Sequence, residues 1–133
     1  YRLDNMILKN NEVVGILDWE LSTLGHPIAD FSYHCLSWRT QEAFWDQAKL
    51  KELGIPSEKE YMEMYCENSG KDLSKNWEFY MAFNMFKIAG ILQGILGRVR
   101  DGTAASKHAE ERGNMVFPLS EAAWSTIEEN FLK

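Results

Sequence analysis

The sequence has only two cysteines and three prolines, and no apolar run approaches the roughly 20 residues needed to span a bilayer. Cys35 and Cys66 stand far apart, without CxxC spacing or a histidine at metal-ligand spacing, which excludes a disulfide framework and a zinc knuckle. They read as buried or half-buried thiols of a reducing, intracellular compartment, most simply the cytoplasm. Basic residues are also scarce: fourteen against twenty acidic ones leave a net charge of -6. That balance disfavours a nucleic-acid partner and tolerates a cationic or metal-bound substrate. Repeats and low-complexity segments are absent. So is an initiator methionine: the chain opens "YRLDN", in mid-motif, so the natural N-terminus, where a targeting signal would be read, is expected to lie upstream.

What is present argues for a packed interior. Of the 133 residues, 45% are hydrophobic and 13% aromatic, enough for one domain or part of one. In "MILKNNEVVGILDW", Met6 to Leu8 and Val13 to Leu17 are short aliphatic runs separated by polar residues. Asn10 and Asn11 tolerate turn conformations, so the stretch predicts a β-hairpin. Pro27 suits the first turn of a helix running to about Trp38. Ser57, Glu60 and Gly70 give a capping box and a glycine stop to a second helix.

With Ser74 as candidate cap, Phe79, Met81, Phe83, Phe86, Ile88, Ile91, Leu92, Ile95 and Leu96 predict a central helix apolar on most sides. Gly90, Gly94 and Gly97 line one side of it, where close packing by another helix is expected ahead of a ligand. A last helical region, Ala104 to Lys133, is expected to break or kink at Pro118.

The chemistry concentrates at the start. In kinase catalytic loops an aspartate accepts the acceptor hydroxyl proton, and an asparagine five positions later holds magnesium. Five positions before Asn5 is the position preceding Tyr1. A second metal-binding aspartate follows at the end of a hairpin in that scheme, the place Asp18 occupies.

These residues resemble a known family. "YRLDN" followed by "VVGILDWELSTLGHPIADFSY" is similar to the aminoglycoside phosphotransferase and choline kinase group, whose motif runs His-Gly-Asp, four residues, Asn, hairpin, Asp, then Gly-x-Pro-x-x-Asp. "DWELSTLGHPIAD" and "FYMAFNMFKIAGILQGILGR" resemble the branch fused to an acyl-CoA dehydrogenase domain. The resemblance implies a mainly α chain with a short N-terminal β-hairpin. Residues 1–133 would form the C-terminal lobe of a protein-kinase-like (α+β) fold, with the N-terminal lobe and His-Gly-Asp missing.

It also implies that the full-length protein uses ATP and Mg2+ to phosphorylate a small-molecule alcohol. Hydroxyacyl-CoA or a related metabolite is one acceptor class, and choline-like or aminoglycoside alcohols another. By resemblance Asn5 and Asp18 are the magnesium ligands. Asp30 is a buried carboxylate bracing the catalytic loop, and Ile7 and Leu17 form the apolar floor under adenine. Glu20 faces the same cleft. The fragment alone is expected to be inactive, and a non-catalytic pseudokinase or helical docking module is the alternative.

Other candidates are weaker. His26, Asp30 and His34 recur every four residues, but Pro27 puts His26 at or before the helix start, against a zinc site. His108 reads as a solvated surface residue. Phe83 is expected in the core, while Trp38 is open between core and substrate pocket. Arg98 and Arg100 complement the central helix's negative end or meet an anionic substrate tail such as a CoA phosphate.

Overall fold

The computed structural model describes residues 2–20, 22–40, 47–73 and 75–133, with Gln47 and Ala48 described in backbone only. After a 3-10 turn at Leu3–Asn5 come two antiparallel strands, β1 (Met6–Lys9) and β2 (Glu12–Ile16). Asn10 and Asn11 carry φ of 51° and 63°. Both lie in the left-handed region that a two-residue turn needs to follow the strands' twist, and asparagine adopts it more readily than most residues. Met6 pairs with Ile16 and Lys9 with Glu12, with an irregularity between Ile7 and Leu8 that lets the far end of the hairpin bend.

Helix α1 (Pro27–Cys35) starts on Pro27, whose missing N–H is not needed in the first turn, and tightens into a 3-10 turn at Leu36–Trp38. A short α2 (Gln47–Glu52) precedes α3 (Glu58–Ser69). The Ser57 backbone N–H donates to Glu60 Oε2 at 2.8 Å while the Glu60 N–H donates to Ser57 Oγ, and Gly70 closes α3 at φ 66°. The exposed Glu60 carboxyl is held below its usual range by that backbone N–H first and the Ser57 hydroxyl second.

The long α4 (Trp77–Arg100) is followed by α5 (Ala109–Gly113) and α6 (Val116–Phe131). Ser74 lies outside the described residues, and Asn76 is the N-cap. Pro118 does not break α6: it falls in the first turn, where no intrahelical N–H bond is due. An 18-residue window of the 24-residue α4 reaches a mean hydropathy of 1.3, so by length and composition alone the helix could cross a membrane. A core helix passes the same test, and Trp77, Met81, Met85 and Ala89 place this one in the core.

Only one stripe of α4 is buried. Trp77, Met81, Met85 and Ala89 face Ile28, Phe31, Cys35, Leu36 and Leu73, together with Leu119 and Ala123 of α6. The Phe31 ring stacks on Tyr65 at 3.9 Å between centroids, tying α3 to the same core. Phe79, Phe86 and Ile91 are exposed, against the expectation of a helix buried on most sides.

The glycine expectation is also corrected. A Cβ at Gly90, Gly94 or Gly97 would meet nothing within 4 Å, so no described element packs there. Close approach occurs at Gly113 instead, where a Cβ would lie 2.4 Å from Leu96 Cγ.

Arg39 draws three elements together. Its Nε donates to Glu58 at 2.9 Å and its Nη2 to Glu78 at 2.9 Å, while Trp77 Nε1 donates to Glu58 at 2.8 Å. The Glu78 hydrogen bond, foremost, raises the Arg39 pKa further above its usual range, so the guanidinium stays charged. The starts of α3 and α4 are thereby pinned to the end of α1.

Candidate functional site

A cleft of about 700 Å³ opens where the hairpin leaves β2 and meets α1 and α4. Its hairpin wall carries Asn5, Leu17, Asp18 and Trp19; its helical wall carries Asp30, Tyr33, Phe83, Asn84 and Lys87. Antiparallel pairing brings residues from the two ends of the hairpin together. The Leu17 N–H donates to the Asn5 carbonyl at 2.8 Å, and Asn5 Nδ2 donates to Asp18 Oδ2 at 3.2 Å.

Asp18 has φ of 65°, uncommon for any residue but glycine and held by its neighbours. Trp19 Nε1 donates back to the Ile16 carbonyl at 2.7 Å, closing a tight turn around Asp18. Strained backbone of this kind is maintained where a side chain must be aimed, at a cost of about 1–3 kcal/mol. An amide and a carboxylate together offer the hard oxygen donors that suit a magnesium ion.

The remaining candidates divide. Leu17 lines the cleft, whereas Ile7 does not: its side chain lies against Gly15 on the hairpin. Asp30 lines the cleft from the first turn of α1, but it is exposed rather than buried, because that turn faces the open cleft. Glu20 is exposed outside the cleft lining, and Trp19 takes the inward position next to Asp18. Trp38 resolves to packing: it stacks on Tyr61 at 5.3 Å and its Nε1 donates to the Pro56 carbonyl.

Phe83 is 47% exposed and forms cleft wall, contrary to the core expectation. His26 stacks on Tyr80 at 5.1 Å. His108 lies 3.4 Å from Glu111 on the surface, as expected. The helical wall was the part missed. Phe83 and Lys87 are one turn apart on α4, a spacing equally compatible with core, and only the position of α1 turns that face toward the cleft.

Residues 1–65 match the family described as "Phosphotransferase enzyme family". A crystal structure of a "putative aminoglycoside phosphotransferase" from Ralstonia eutropha JMP134 superposes with a TM-score of 0.84 at 44% identity over 97% of this chain. The chain belongs to the phosphotransferase enzyme family. Among curated relatives, mouse acyl-CoA dehydrogenase family member 10 is 43% identical over 131 residues. Human acyl-CoA dehydrogenase family member 11 is 36% identical over 137.

The chain spans 41% of the solved phosphotransferase, 12% of the mouse relative and 18% of the human one. The family's likeness extends beyond residues 1–65, since the superposition carries the helical region as well. The mainly helical fold with an N-terminal hairpin is thus that of the superposed part of the phosphotransferase neighbour.

Proposed function

We propose that this chain is the C-terminal lobe of a longer small-molecule kinase, one that transfers the γ-phosphoryl group of ATP to an alcohol. The observation that carries the proposal is the Asn5–Asp18 pair, joined at 3.2 Å on a cleft edge with Asp18 held at φ 65°. A kinase requires such a pair of oxygen donors on a short loop and the following hairpin.

Magnesium bound with ATP supplies charge neutralisation at the phosphates. Asn5 and Asp18 would hold it, and Leu17 gives the cleft an apolar contact for the nucleotide. Asp30, from the first turn of α1, would brace the catalytic loop. A carboxylate ahead of Tyr1 in the full-length protein would take the proton of the acceptor hydroxyl. The exposed apolar side chains of the hairpin, Leu8 at 58% and Val14 at 56%, support a covering lobe.

The acyl-CoA dehydrogenase names of the curated relatives support an acyl-CoA-type acceptor carrying a hydroxyl, and a dehydrogenase domain fused to the kinase-like one. The test is acceptor-dependent ADP release by the full-length protein, across hydroxyacyl-CoA, choline and aminoglycoside acceptors. Release that disappears in Asn5→Ala and Asp18→Ala supports the reading. Absence of release with every acceptor, and of magnesium-dependent ATP binding, leaves a non-catalytic docking module.

A further inference from the structure

The helical wall of the cleft has a chemistry of its own. Tyr33 on α1 and Phe83 on α4 give it two aromatic rings, and Lys87, one turn beyond Phe83, brings its Nζ over the Tyr33 ring at 5.5 Å from the centroid. That placement gives the tyrosine face a cation from the protein itself. A choline-like or aminoglycoside ammonium group would compete with Lys87 for that face and be repelled by its charge.

Lys87 is exposed, lines the cleft, and forms no ion pair with a carboxylate among the described residues. The other basic side chains lining the cleft have contacts elsewhere: Arg2 pairs with Asp4 at 3.0 Å and the His26 ring stacks on Tyr80. Among the described residues, the acidic side chains lining the cleft are Asp18, next to Asn5, and Asp30, on the first turn of α1. Lys87 is therefore, among the described residues, the cation left to meet an incoming anion on the α4 wall.

We infer that Lys87, steadied over Tyr33 and flanked by Phe83, is the acceptor-selecting residue, binding a phosphate or carboxylate group on the acceptor and rejecting cationic alcohols. The inference rests on the kinase reading of the cleft and narrows its acceptor class. Lys87 acts on binding, because an interaction made equally in the ground and transition states changes KM and leaves kcat alone.

The experiment compares the full-length protein with Lys87→Met and Lys87→Arg on 3-hydroxybutyryl-CoA, 3-hydroxybutyryl-pantetheine, 3-hydroxybutyrate and choline. The expected result is turnover of an anionic acceptor and a rise in its KM of about tenfold or more in Lys87→Met, the scale of a charge-assisted hydrogen bond. The KM for ATP and kcat stay within about twofold, and Lys87→Arg restores most of the affinity. A Lys87 effect on the CoA ester but not the pantetheine ester assigns the anion to phosphate; an effect on 3-hydroxybutyrate assigns it to carboxylate.

Unchanged KM in Lys87→Met, or a preference for choline in the wild type, overturns the inference while leaving the kinase reading intact. Should no acceptor turn over and ATP binding show no magnesium dependence, the kinase reading fails, and calorimetric binding of CoA and of 3-hydroxybutyrate against pantetheine decides the inference alone. Tighter binding of CoA or 3-hydroxybutyrate than of pantetheine, lost in Lys87→Met, sustains the anion subsite, and binding of neither anion above pantetheine removes it.

Discussion

Asn84 Nδ2 donates to Ser32 Oγ at 2.8 Å at the base of the cleft's helical wall, joining α4 to α1. The same nitrogen donates to the Ala29 carbonyl at 2.8 Å, and both side chains are buried, Asn84 at 1% exposure and Ser32 at 0%. The polar contact fixes the rotation of α4 against α1, and so decides that Phe83 and Lys87 face the cleft.

Asn84→Leu is expected to cost about 1–3 kcal/mol, because the buried Ser32 hydroxyl loses a donor. Urea denaturation of the full-length protein measures it. Combining Asn84→Leu with Ser32→Ala should recover part of the loss, since the double variant buries no orphaned group; additive losses would contradict the pairing.

Asp18→Gly separates stability from chemistry. Glycine adopts the observed φ of 65° without strain, so the variant should unfold no more easily than the wild type, with up to about 1 kcal/mol gained. Magnesium-dependent ATP binding should fall at least about tenfold through loss of a charged ligand. Retained nucleotide affinity in a folded Asp18→Gly protein would remove Asp18 from the proposed metal clamp.

Gly113→Ala and Gly94→Ala should move stability in opposite directions. A Cβ at Gly113 meets Leu96 Cγ at 2.4 Å, and the forced repacking costs about 1–3 kcal/mol. At Gly94 the Cβ enters open space on a helix, where alanine is favoured over glycine by about 1 kcal/mol. Thermal melts of the two variants give the signs directly.

Burial, ahead of the nearby Glu58 carboxylate, pushes the Cys35 thiol from 9.0 up to about 12, with Arg39 opposing. The native state then keeps a proton that the unfolded chain loses above pH 9, so stability falls as pH rises from about 9 to about 12. The slope approaches about 1.4 kcal/mol per pH unit within that window. Cys35→Ala should flatten this part of the profile, and maleimide should leave Cys35 unmodified in the native protein at pH 8.

How much was legible follows from the range of the signals. The hairpin is written in Asn10 and Asn11, because few residues accept positive φ twice in succession. The ends of α3 are written in Ser57, Glu60 and Gly70, because a capping box and a left-handed stop act within a few residues of backbone. The Asn5–Asp18 pair is legible for the same reason: thirteen residues of hairpin bring its two ends together whatever packs around them.

The helical wall of the cleft lay outside that range. Phe83, Lys87, Gly90 and Gly94 occupy one side of α4, and the helical period alone cannot say whether that side faces core, cleft or open surface. The buried contacts of Asn84 and Met81 set the rotation of α4, which left Gly90 and Gly94 open. Gly113 became the point of close helix approach because α5 reaches Leu96. Asp30, Glu20, Ile7 and Trp38 were separated by the same cause: their motif or neighbourhood was local, but exposure is decided by which elements pack around them. Local backbone chemistry thus determined the elements and the Asn5–Asp18 pair from sequence alone. The cleft's helical wall, with Lys87 on it, was decided only by packing between helices, because facing is a relation between distant segments.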